Sequence, residues 1–301
     1  MTVVLSPSPA LDVSYLLERV ETGEIHRPRE VLRLPGGKGL NLARAAAVLG
    51  ERVRVVAPLG GRGGELVADL ARAEGLALDV VSIDAEVRSC VSAIPDIGPP
   101  TEFYEPPAAL TEHEARELGR RFAAAVARGW SALAGVLPDI AGLAEALLAR
   151  RAAGDRIAVD SSGPLLAALL EVTRPDLVKV NRDEAAEVLG LRGTTLELAR
   201  GLRERTGGVV VVTCGSAGAV AVDATGAWRA APDPRPGRLA IGSGDSFFAG
   251  LLVGLTAGAT LPDALRVASA AGSANTRMPG AGVFGHAEYE AALARIEVHP
   301  A

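Results

Sequence analysis

The run Gly208-Val-Val-Val-Val-Thr213 is the feature that most constrains the fold of this 301-residue chain. Its consecutive β-branched residues predict a strand, and an uninterrupted apolar strand is typical of a parallel sheet with both faces buried. Segments rich in Ala and Leu, which predict helices, stand between this strand and several other short apolar segments. Because strands alternating with helices indicate βαβ units, we expect an α/β fold with a mostly parallel central sheet layered by helices.

Composition adds a constraint on the core. Hydrophobic residues make up 49% of the chain, whereas aromatic residues make up only 3%. The core must therefore be built mainly from Ala, Val and Leu, which favours helices packed closely on a sheet. The length suits one large α/β domain, which we expect to span residues 1–301.

Two segments interrupt the alternation of strands and helices. In residues 13–33 and 88–107, approximately, apolar and polar residues alternate around turn residues, which is a hairpin pattern. We expect these two segments to form a small β-sheet lid over one end of the central sheet.

Charge and cysteine content exclude several classes of protein. With 31 basic and 36 acidic residues the net charge is −5, so no basic field favours nucleic acid. Two cysteines without C-x-x-C spacing and four scattered histidines indicate neither a zinc site nor a disulfide scaffold. No apolar stretch is long enough to span a membrane, and the N-terminal segment lacks the features of a signal peptide. We expect a cytoplasmic protein without nucleic-acid or membrane partners.

The segment Gly242-Ser243-Gly244-Asp245 precedes an apolar run that predicts the start of a helix. Glycines let backbone N–H groups turn toward one point, and the N-terminus of a helix attracts phosphate. Asp245 could there take a proton from a hydroxyl that attacks a phosphoryl group. The alternative is structural, because Asp and Ser are also ordinary helix N-caps.

A second glycine cluster, Gly36-Gly37-Lys38-Gly39-Leu40-Asn41, lies between a predicted strand and a predicted helix. Its backbone could approach a ligand, Lys38 offers a point charge and Asn41 can bond to hydroxyls, although a plain turn with an exposed lysine is the alternative. The spacing is not that of a Walker A loop. Asp12, which follows the first predicted strand, could accept hydrogen bonds from a sugar or form an Asx turn.

Three further groups of residues each allow a functional and a structural interpretation. Asn181 and Glu184 have the spacing of a capping box, and Glu184 could also help to hold Mg²⁺ through water. The segment 213–218 could pass close to a nucleotide or form a tight turn. Arg27, Lys38 and Arg88 could clamp a phosphate, or could be solvated charges.

The segment 280–285 matches the spacing G-x-G-x-x-G. It follows Pro279 rather than a strand, and too few residues remain after it for a βαβ unit, so a dinucleotide site and a dehydrogenase are excluded.

Four of these motifs together resemble the ribokinase/PfkB family of carbohydrate kinases, and they occur in the same order as in that family. They are SPALD at 8–12, GGKGLN at 36–41, NRDE at 181–184 and GSGD at 242–245. The lysine in GGKG, together with Arg27 and Arg88, is similar to the branch that phosphorylates sugar phosphates, which includes 1-phosphofructokinase and tagatose-6-phosphate kinase.

The resemblance implies a ribokinase-like fold and an ATP- and Mg²⁺-dependent phosphotransferase that pairs through its lids as a homodimer. Fructose 1-phosphate is the expected acceptor, tagatose 6-phosphate or fructose 6-phosphate the alternative, and a non-catalytic sensor of sugar or nucleotide the alternative of another class. The implied roles are Asp245 as general base; the N–H groups of Gly242, Ser243 and Gly244 as an anion hole; Asp12, Gly36, Gly37 and Asn41 for the sugar; Arg27, Lys38 and Arg88 for its phosphate; Thr213, Gly215, Gly218 and Asn275 for ATP; and Asn181 with Glu184 for magnesium through water.

The chain departs from the family pattern at two places. Ser8 stands where the family usually has Asn, and in residues 135–140 Val136 and Ile140 replace a serine and a glycine. These departures leave the identity of the sugar open.

Overall fold

The computed structural model describes residues 2–126, 129–136 and 141–301. In that part of the chain, strands and helices alternate over most of the sequence, as predicted. The strands are β1 (Thr2–Leu5), β2 (Ala10–Leu17), β3 (Glu30–Gly36), β4 (Val53–Leu59), β5 (Ala77–Ser82), β6 (Ser89–Pro95), β7 (Thr101–Tyr104), β8 (Trp130–Ala134), β9 (Arg156–Asp160), β10 (Leu177–Asn181), β11 (Val209–Thr213), β12 (Ala219–Val222), β13 (Ala227–Ala230) and β14 (Val298–Pro300). The helices are α1 (Lys38–Val48), α2 (Gly61–Ala73), α3 (Glu112–Ala124), α4 (Ala141–Ala152), α5 (Leu165–Thr173), α6 (Arg182–Leu189), α7 (Thr195–Thr206), α8 (Ser243–Thr256), α9 (Leu261–Asn275) and α10 (His286–Leu293).

The larger sheet has the strand order β14-β13-β12-β11-β10-β9-β8-β1-β4-β5. From β11 to β5 all neighbouring strands are parallel, and from β11 to β14 they are antiparallel. This arrangement confirms the expected α/β fold with a mostly parallel central sheet.

Both faces of this sheet are buried under helices. Along β11, Val210 and Val212 pack on the side covered by α3 to α7, and Val211 packs on the side covered by α1, α2 and α8 to α10. These three valines are fully buried. The strand of consecutive β-branched residues therefore lies in the interior of the sheet, where both of its faces contribute to the core.

The helices α8 and α9 pack closely because small residues lie between them. A Cβ atom on Gly250 would stand 2.9 Å from the Cα of Ala268, and a Cβ on Gly254 would stand 2.9 Å from the Cα of Ala264. With so little room between the helix backbones, a core poor in aromatic residues is sufficient to fill the space.

The two predicted hairpin segments form a separate small sheet with the order β3-β2-β6-β7. Each segment contributes an antiparallel pair, and the two pairs join through parallel pairing of β2 with β6. The strands extend beyond the predicted bounds, because β2 begins at Ala10 and β3 continues to Gly36. These extensions connect the small sheet directly to the segments that carry Asp12 and the glycines of 36–37.

The sequence did not predict β13, α10 or β14. All three are short, and β13 and β14 form the antiparallel edge of the large sheet next to β12. Their residues are partly exposed, so the hydrophobic pattern that marks a buried strand or helix is weak there.

Candidate active site

Most of the predicted site residues follow the carboxyl ends of parallel strands in the large sheet. Strand β1 lies in the middle, between β8 and β4, so the chain fills the sheet outward from β1 in both directions. Ligands of open α/β sheets bind in the crevice at such a switch point. Residues 6–12 follow β1 at this crevice. Asp160 ends β9 and Thr213 ends β11, on either side of β10 and at the same edge of the sheet.

Asp245 is the third residue of α8 and is buried. The side-chain Nδ2 of Asn41, on α1, donates a hydrogen bond of 2.8 Å to its Oδ2. Burial raises the pKa of Asp245 to about 6, and the nearby charge of Asp160 adds to the rise, while Lys38, the bond from Asn41 and Lys179 oppose it. At neutral pH the group is therefore an ionised carboxylate that is more basic than an ordinary aspartate, which suits a general base.

The first turn of α8 leaves backbone N–H groups available for an anion. Within the described residues, the N–H groups of Gly242, Gly244 and Asp245 have no hydrogen-bond partner. The N–H of Ser243 differs, because it donates to the carbonyl of Ala240 at 3.1 Å. The prediction for Ser243 is therefore corrected, because its N–H is used by the protein itself, whereas the N–H of Asp245 is available.

Gly242 must be glycine for two reasons. Its φ is 73°, which is the left-handed region, and a Cβ atom on it would overlap Ala281. The loop of residues 280–282, which resembled a dinucleotide motif by its spacing, thus packs directly behind the turn that opens α8. It follows α9 rather than a strand, in agreement with the exclusion of a dinucleotide site.

Two lysines flank a buried aspartate beside this turn. The Nζ of Lys38 lies 2.6 Å from one oxygen of Asp160, and the Nζ of Lys179 lies 2.8 Å from the other. Burial alone would raise the pKa of Asp160, but the two ammonium groups outweigh it and hold that pKa below its usual range. A Cβ atom on Gly244 would stand 3.1 Å from the Nζ of Lys179, so this cation lies against the free N–H groups.

Asp12 lies on β2, in register with Leu34 of β3 and Cys90 of β6. A side chain on Gly36 would overlap its carboxyl group, so the glycine makes room for it. Burial raises the pKa of Asp12 to about 7; Arg44 opposes the rise, and the charge of Asp245 adds to it. The structure thus brings Asp12 and Asp245 into one charged cluster around Asn41.

The departures at Ser8 and Val136 lie in contact with each other. The backbone N–H of Val136 donates to the Oγ of Ser8 at 3.0 Å. Gly37 belongs to the same contact region, because a Cβ atom on it would stand 2.8 Å from the Cα of Pro9. The third departure, Ile140, lies outside the described residues.

Arg88 and Arg27 occupy different places. Arg88 donates to the carbonyls of Ser8 and Glu105, each at 3.2 Å, and its buried Nε has no hydrogen-bond partner within the part of the chain that the structure describes. Its charge acts on Asp12, so it lies beside the cluster.

Arg27 is exposed in the segment between β2 and β3. Strand β2 leads away from the site, since Leu16 pairs with Glu30 at the far end of the sheet. At about 3.3 Å per residue, this end lies on the order of 13 Å from Asp12. Within one chain, Arg27 therefore does not join Lys38 and Arg88.

A cavity of about 370 Å³ reaches the turn that opens α8 from the side of residues 213–218. Thr213, Gly215 and Gly218 line it, as the sequence predicted for the ATP site, and so do Gly244 and Ser243. Its volume is in the range of small-molecule sites. The cavity therefore reaches the turn that carries the free N–H groups.

Asn275, also predicted for the ATP site, lies behind this cavity rather than on its wall. Its side chain is fully buried, and its Oδ1 accepts from the Oγ of Ser246 and the N–H of Gly282, both at 2.7 Å. Its Nδ2 donates to the carbonyl of Ile241 at 2.8 Å. The prediction is corrected: Asn275 supports the turn of α8, because its amide is used by the protein itself.

Asn181 and Glu184 form a complete capping box at the start of α6. The Oε2 of Glu184 accepts from the N–H of Asn181 at 2.7 Å, and the Oδ1 of Asn181 accepts from the N–H of Glu184 at 2.9 Å. The Oε1 of Glu184 has no partner among the described residues. Those residues contain no group of three side chains that could hold a metal ion. One free carboxylate oxygen fits a magnesium ion held through water and by substrate phosphates, which is how Mg²⁺ is commonly bound.

Sequence reasoning missed Asp160, Lys179 and Arg44. Each is a charged residue in an element whose other residues are mostly apolar: Lys179 stands inside the strand LVKVN, Asp160 ends RIAVD, and Arg44 lies in an Ala-rich helix. Because a charge in a buried element is rare unless it is paired, this pattern could have identified all three.

None of the described helices is long and apolar enough to cross a membrane.

Comparison with known proteins agrees with this geometry. The model of the pfkB family carbohydrate kinases matches residues 10–285. The chain is 34% identical to a 1-phosphofructokinase of Rhodobacter capsulatus over 78% of this chain and 77% of that protein. It is 28% identical to the ATP-dependent 6-phosphofructokinase isozyme 2 of Escherichia coli K12 over 94% of both chains.

A solved structure shows the same fold over nearly the whole chain. The tetrameric inhibited form of phosphofructokinase-2 from Escherichia coli superposes with a TM-score of 0.89 at 27% identity, over 97% of this chain and 98% of that one. The protein is a sugar kinase, and the chain belongs to the pfkB family of carbohydrate kinases.

Proposed function

We propose that this protein transfers the γ-phosphate of ATP to a hydroxyl of a phosphorylated ketohexose, with fructose 1-phosphate as the acceptor and fructose 1,6-bisphosphate as the product. One observation carries the proposal. The carboxylate of Asp245 is bonded to Asn41 at 2.8 Å, its charge acts on Asp12, and it belongs to the turn of α8 that carries the free N–H groups.

In this proposal Asp245 takes the proton of the attacking hydroxyl, while Asn41 and Asp12 orient the sugar. The N–H groups of Gly244 and Asp245, with the ammonium group of Lys179, stabilise the negative charge on the phosphoryl group during transfer. The cavity of about 370 Å³ holds the nucleotide. Positioning and charge stabilisation then supply most of the rate, since phosphoryl transfer asks for little covalent chemistry from the protein.

Magnesium is the proposed metal, held through water by the free oxygen of Glu184 and by the phosphates of ATP. When bound it neutralises phosphate charge. The capping box supports this placement because it fixes the carboxylate of Glu184 at the carboxyl end of β10, and the charge of Glu184 acts on Lys38.

The acceptor is proposed to carry a phosphate because Arg88 has donor capacity that the protein does not use. Its Nε is buried without a partner, beside Asp12. An anion there would satisfy this donor and balance the guanidinium charge. The alternative acceptors are tagatose 6-phosphate and fructose 6-phosphate, and the relatives include both a 1-phosphofructokinase and a 6-phosphofructokinase. The higher identity to the former favours fructose 1-phosphate.

A panel of free and phosphorylated sugars, each assayed for ADP release in the presence of ATP, would test the proposal. Fructose 1-phosphate is expected to give the highest kcat/KM and free fructose a far lower one.

Asp245→Asn should lower kcat by about a thousandfold or more, because the hydroxyl loses its base, while ATP binding measured by calorimetry changes little. The matched control is Asp263→Asn, an exposed aspartate at the third position of α9, which should keep full activity.

Two results would contradict the proposal. Near-normal turnover of Asp245→Asn would remove the general base. The absence of ADP release with every sugar, despite ATP binding, would favour a non-catalytic sensor.

We also propose that the small sheet acts as the lid of one domain spanning 1–301, and that two copies pair through their lids. Exposed apolar side chains in the lid segments support this: Ile25 is 81% exposed, Ile97 89% and Phe103 62%. The free thiols of Cys90 and Cys214 support a reducing, cytoplasmic location.

A further inference from the structure

Arg44 is buried on α1, three residues after Asn41, and every nitrogen of its guanidinium group has a partner. Its Nε donates to Oε2 of Glu74 at 2.8 Å, and its Nη2 donates to the carbonyl of Pro35 at 2.6 Å. Its Nη1 donates to the carbonyl of Ala281 at 2.7 Å and to Oδ1 of Asn41 at 3.3 Å. Four of the five N–H groups of this buried side chain are therefore used by other parts of the protein.

The bond to Asn41 decides how the amide of that residue is oriented. A guanidinium group can only donate hydrogen bonds, so the atom of Asn41 that faces it must be the oxygen. The NH₂ group must then face the opposite way, where it donates to the Oδ2 of Asp245 at 2.8 Å. The flipped amide would place NH₂ against guanidinium and oxygen against carboxylate, which are two repulsive contacts.

Arg44 also holds the loop of residues 280–282 behind the active-site turn. A Cβ atom on Gly282 would overlap the backbone oxygen of Asn41, and a Cβ on Gly242 would overlap Ala281. The loop is therefore wedged between α1 and the start of α8. The bond from Arg44 to the carbonyl of Ala281 connects this loop to α1. Asn275, at the end of α9, connects the loop to α8, because its Oδ1 accepts both from the N–H of Gly282 and from the Oγ of Ser246.

The third contact of Arg44 leads to the small sheet. Pro35, whose carbonyl it bonds, is the neighbour of Gly36, which faces Asp12. One buried guanidinium thus ties together the strand opposite Asp12, the helix of Asn41 and the loop behind Gly242.

We propose that Arg44 is a positioning residue for phosphoryl transfer: it fixes the amide of Asn41, and through it the carboxylate of Asp245, without touching either substrate. This inference rests on the proposed function of Asp245 as the base.

A double-mutant cycle between Arg44 and Asn41 tests the inference. Arg44→Lys keeps the charge but cannot serve all four acceptors, so we expect kcat to fall about tenfold, with the KM for ATP within about twofold. In an Asn41→Ala background the same substitution should cause no further loss, because the group through which Arg44 acts is gone.

The matched control is Arg150→Lys. Arg150 is also a buried arginine that bonds a carboxylate, that of Asp155, and two backbone carbonyls, but it lies at the opposite, amino-terminal end of β8 and β9. Its replacement should lower Tm without changing the kcat of the folded enzyme. Equal losses of kcat in the Arg44 and Arg150 variants would mean that Arg44 is merely structural, and so would additive losses in the cycle.

A second readout does not depend on turnover. In protein without substrates, ¹³C NMR of the Asp245 carboxyl carbon should show a higher titration midpoint in Arg44→Lys, because the bond from Asn41 lowers the pKa of Asp245. The other charged groups that act on Asp245, namely Asp160, Lys38 and Lys179, with Asp12 on the sugar side, remain in place. An unchanged midpoint would overturn the inference.

The two proposals fail in different ways. If Asp245→Asn retains turnover, the proposed base is wrong. If Asp245→Asn is inactive while the cycle is additive and the titration is unchanged, only the role of Arg44 is wrong.

Discussion

At the scale of single residues, the site is defined by two carboxyl groups, the buried Asp245 and the partly buried Asp12, that share one amide neighbour. Desolvation raises the pKa of Asp245 to about 6 and that of Asp12 to about 7, and the charge of Asp245 adds to the rise at Asp12. Such values suit groups that exchange or share protons with substrate hydroxyls near neutral pH. The raised pKa values also mean that ionisation of these two carboxyl groups destabilises the folded protein when no substrate is bound.

The first prediction concerns the pH dependence of turnover. Because Asp245 must be ionised to accept a proton, kcat/KM for the sugar, which reports the free enzyme, should fall as the pH drops through about 6. The Asp263→Asn variant should show the same acid limb. A kcat/KM that stays constant down to pH 5 would contradict the role of Asp245 as base.

The second prediction concerns stability. Since the folded-state pKa of Asp12 is raised from 3.8 to about 7, its contribution to stability is present below pH 3.8 and is lost as the pH rises through 7. Asp12→Asn carries no buried charge, so its gain in Tm over the wild type should be larger at pH 8 than at pH 4. Differential scanning fluorimetry at both pH values measures this.

The exposed substitution Asp183→Asn is the control, and its effect on Tm should be similar at the two pH values. A gain for Asp12→Asn that is equal at both pH values, or no gain at all, would contradict the prediction.

The sequence placed Asp12, Asn41 and Asp245 together because each lies in a motif with its own chemical pattern. It could not show that the N–H of Ser243 is used by Ala240, or that Asn275 faces the interior, because both depend on the path of the backbone through a turn. The positions of Asp160 and Lys179 depend on which strands are neighbours. Motif reading therefore finds the residues that face ligands more readily than those that stand behind them.

At the scale of elements, α8 and α9 pack with their backbones close together. Gly250 has no side chain where α9 crosses α8, and a Cβ atom there would stand 2.9 Å from both the Cα of Ala268 and the carbonyl oxygen of Val267. Since α8 begins with the turn that carries Gly244 and Asp245, this contact helps to set the position of that turn relative to α9.

The third prediction is that Gly250→Ala destabilises the protein, although Ala favours helices. The overpacked backbone contact should cost about 1–3 kcal/mol in the free energy of unfolding. Gly142→Ala is the control: among the described residues its nearest neighbour is the oxygen of Ala115 at 3.8 Å, so the substitution should be neutral or slightly stabilising. Urea unfolding of both variants measures the difference, and equal effects would contradict the packing explanation.

The long helices and the parallel strands were predictable because their apolar periodicity is strong. The antiparallel edge of β13 and β14 and the helix α10 were not, because short, half-exposed elements lack that periodicity. The bounds of β2 and β3 extended further than the hairpin pattern because pairing continues up to the glycines beside Asp12.

At the scale of the whole molecule, the small sheet depends on a contact that the sequence pattern does not contain. Strands β2 and β6 pair in parallel although five elements lie between them in the chain, namely β3, α1, β4, α2 and β5. The alternating pattern predicted strands in both segments, but only the folded chain shows that they form one sheet.

The fourth prediction tests the proposed pairing of lids. Phe103→Glu places a charge on an exposed apolar residue of the edge strand β7, so it should convert the dimer to a monomer. Light scattering after size-exclusion chromatography measures the mass. Val172→Glu, at a residue 55% exposed on α5, should leave the mass unchanged. A wild-type monomer, or a dimer that persists in Phe103→Glu, would contradict pairing through the lid.

Helix α1 carries Lys38, Asn41 and Arg44 at intervals of three residues, and they contact Asp160, Asp245 and Glu74 in turn. Six residues of helix rise about 9 Å, so a rigid rod sets the spacing between the contact with Asp160 at one end and the contact with Glu74 at the other. A single inserted residue within α1 would rotate everything beyond it by about 100° and break the alignment at once. We therefore expect an insertion within this helix to abolish the contact with Asp245, whereas an insertion in an exposed loop should leave that contact in place.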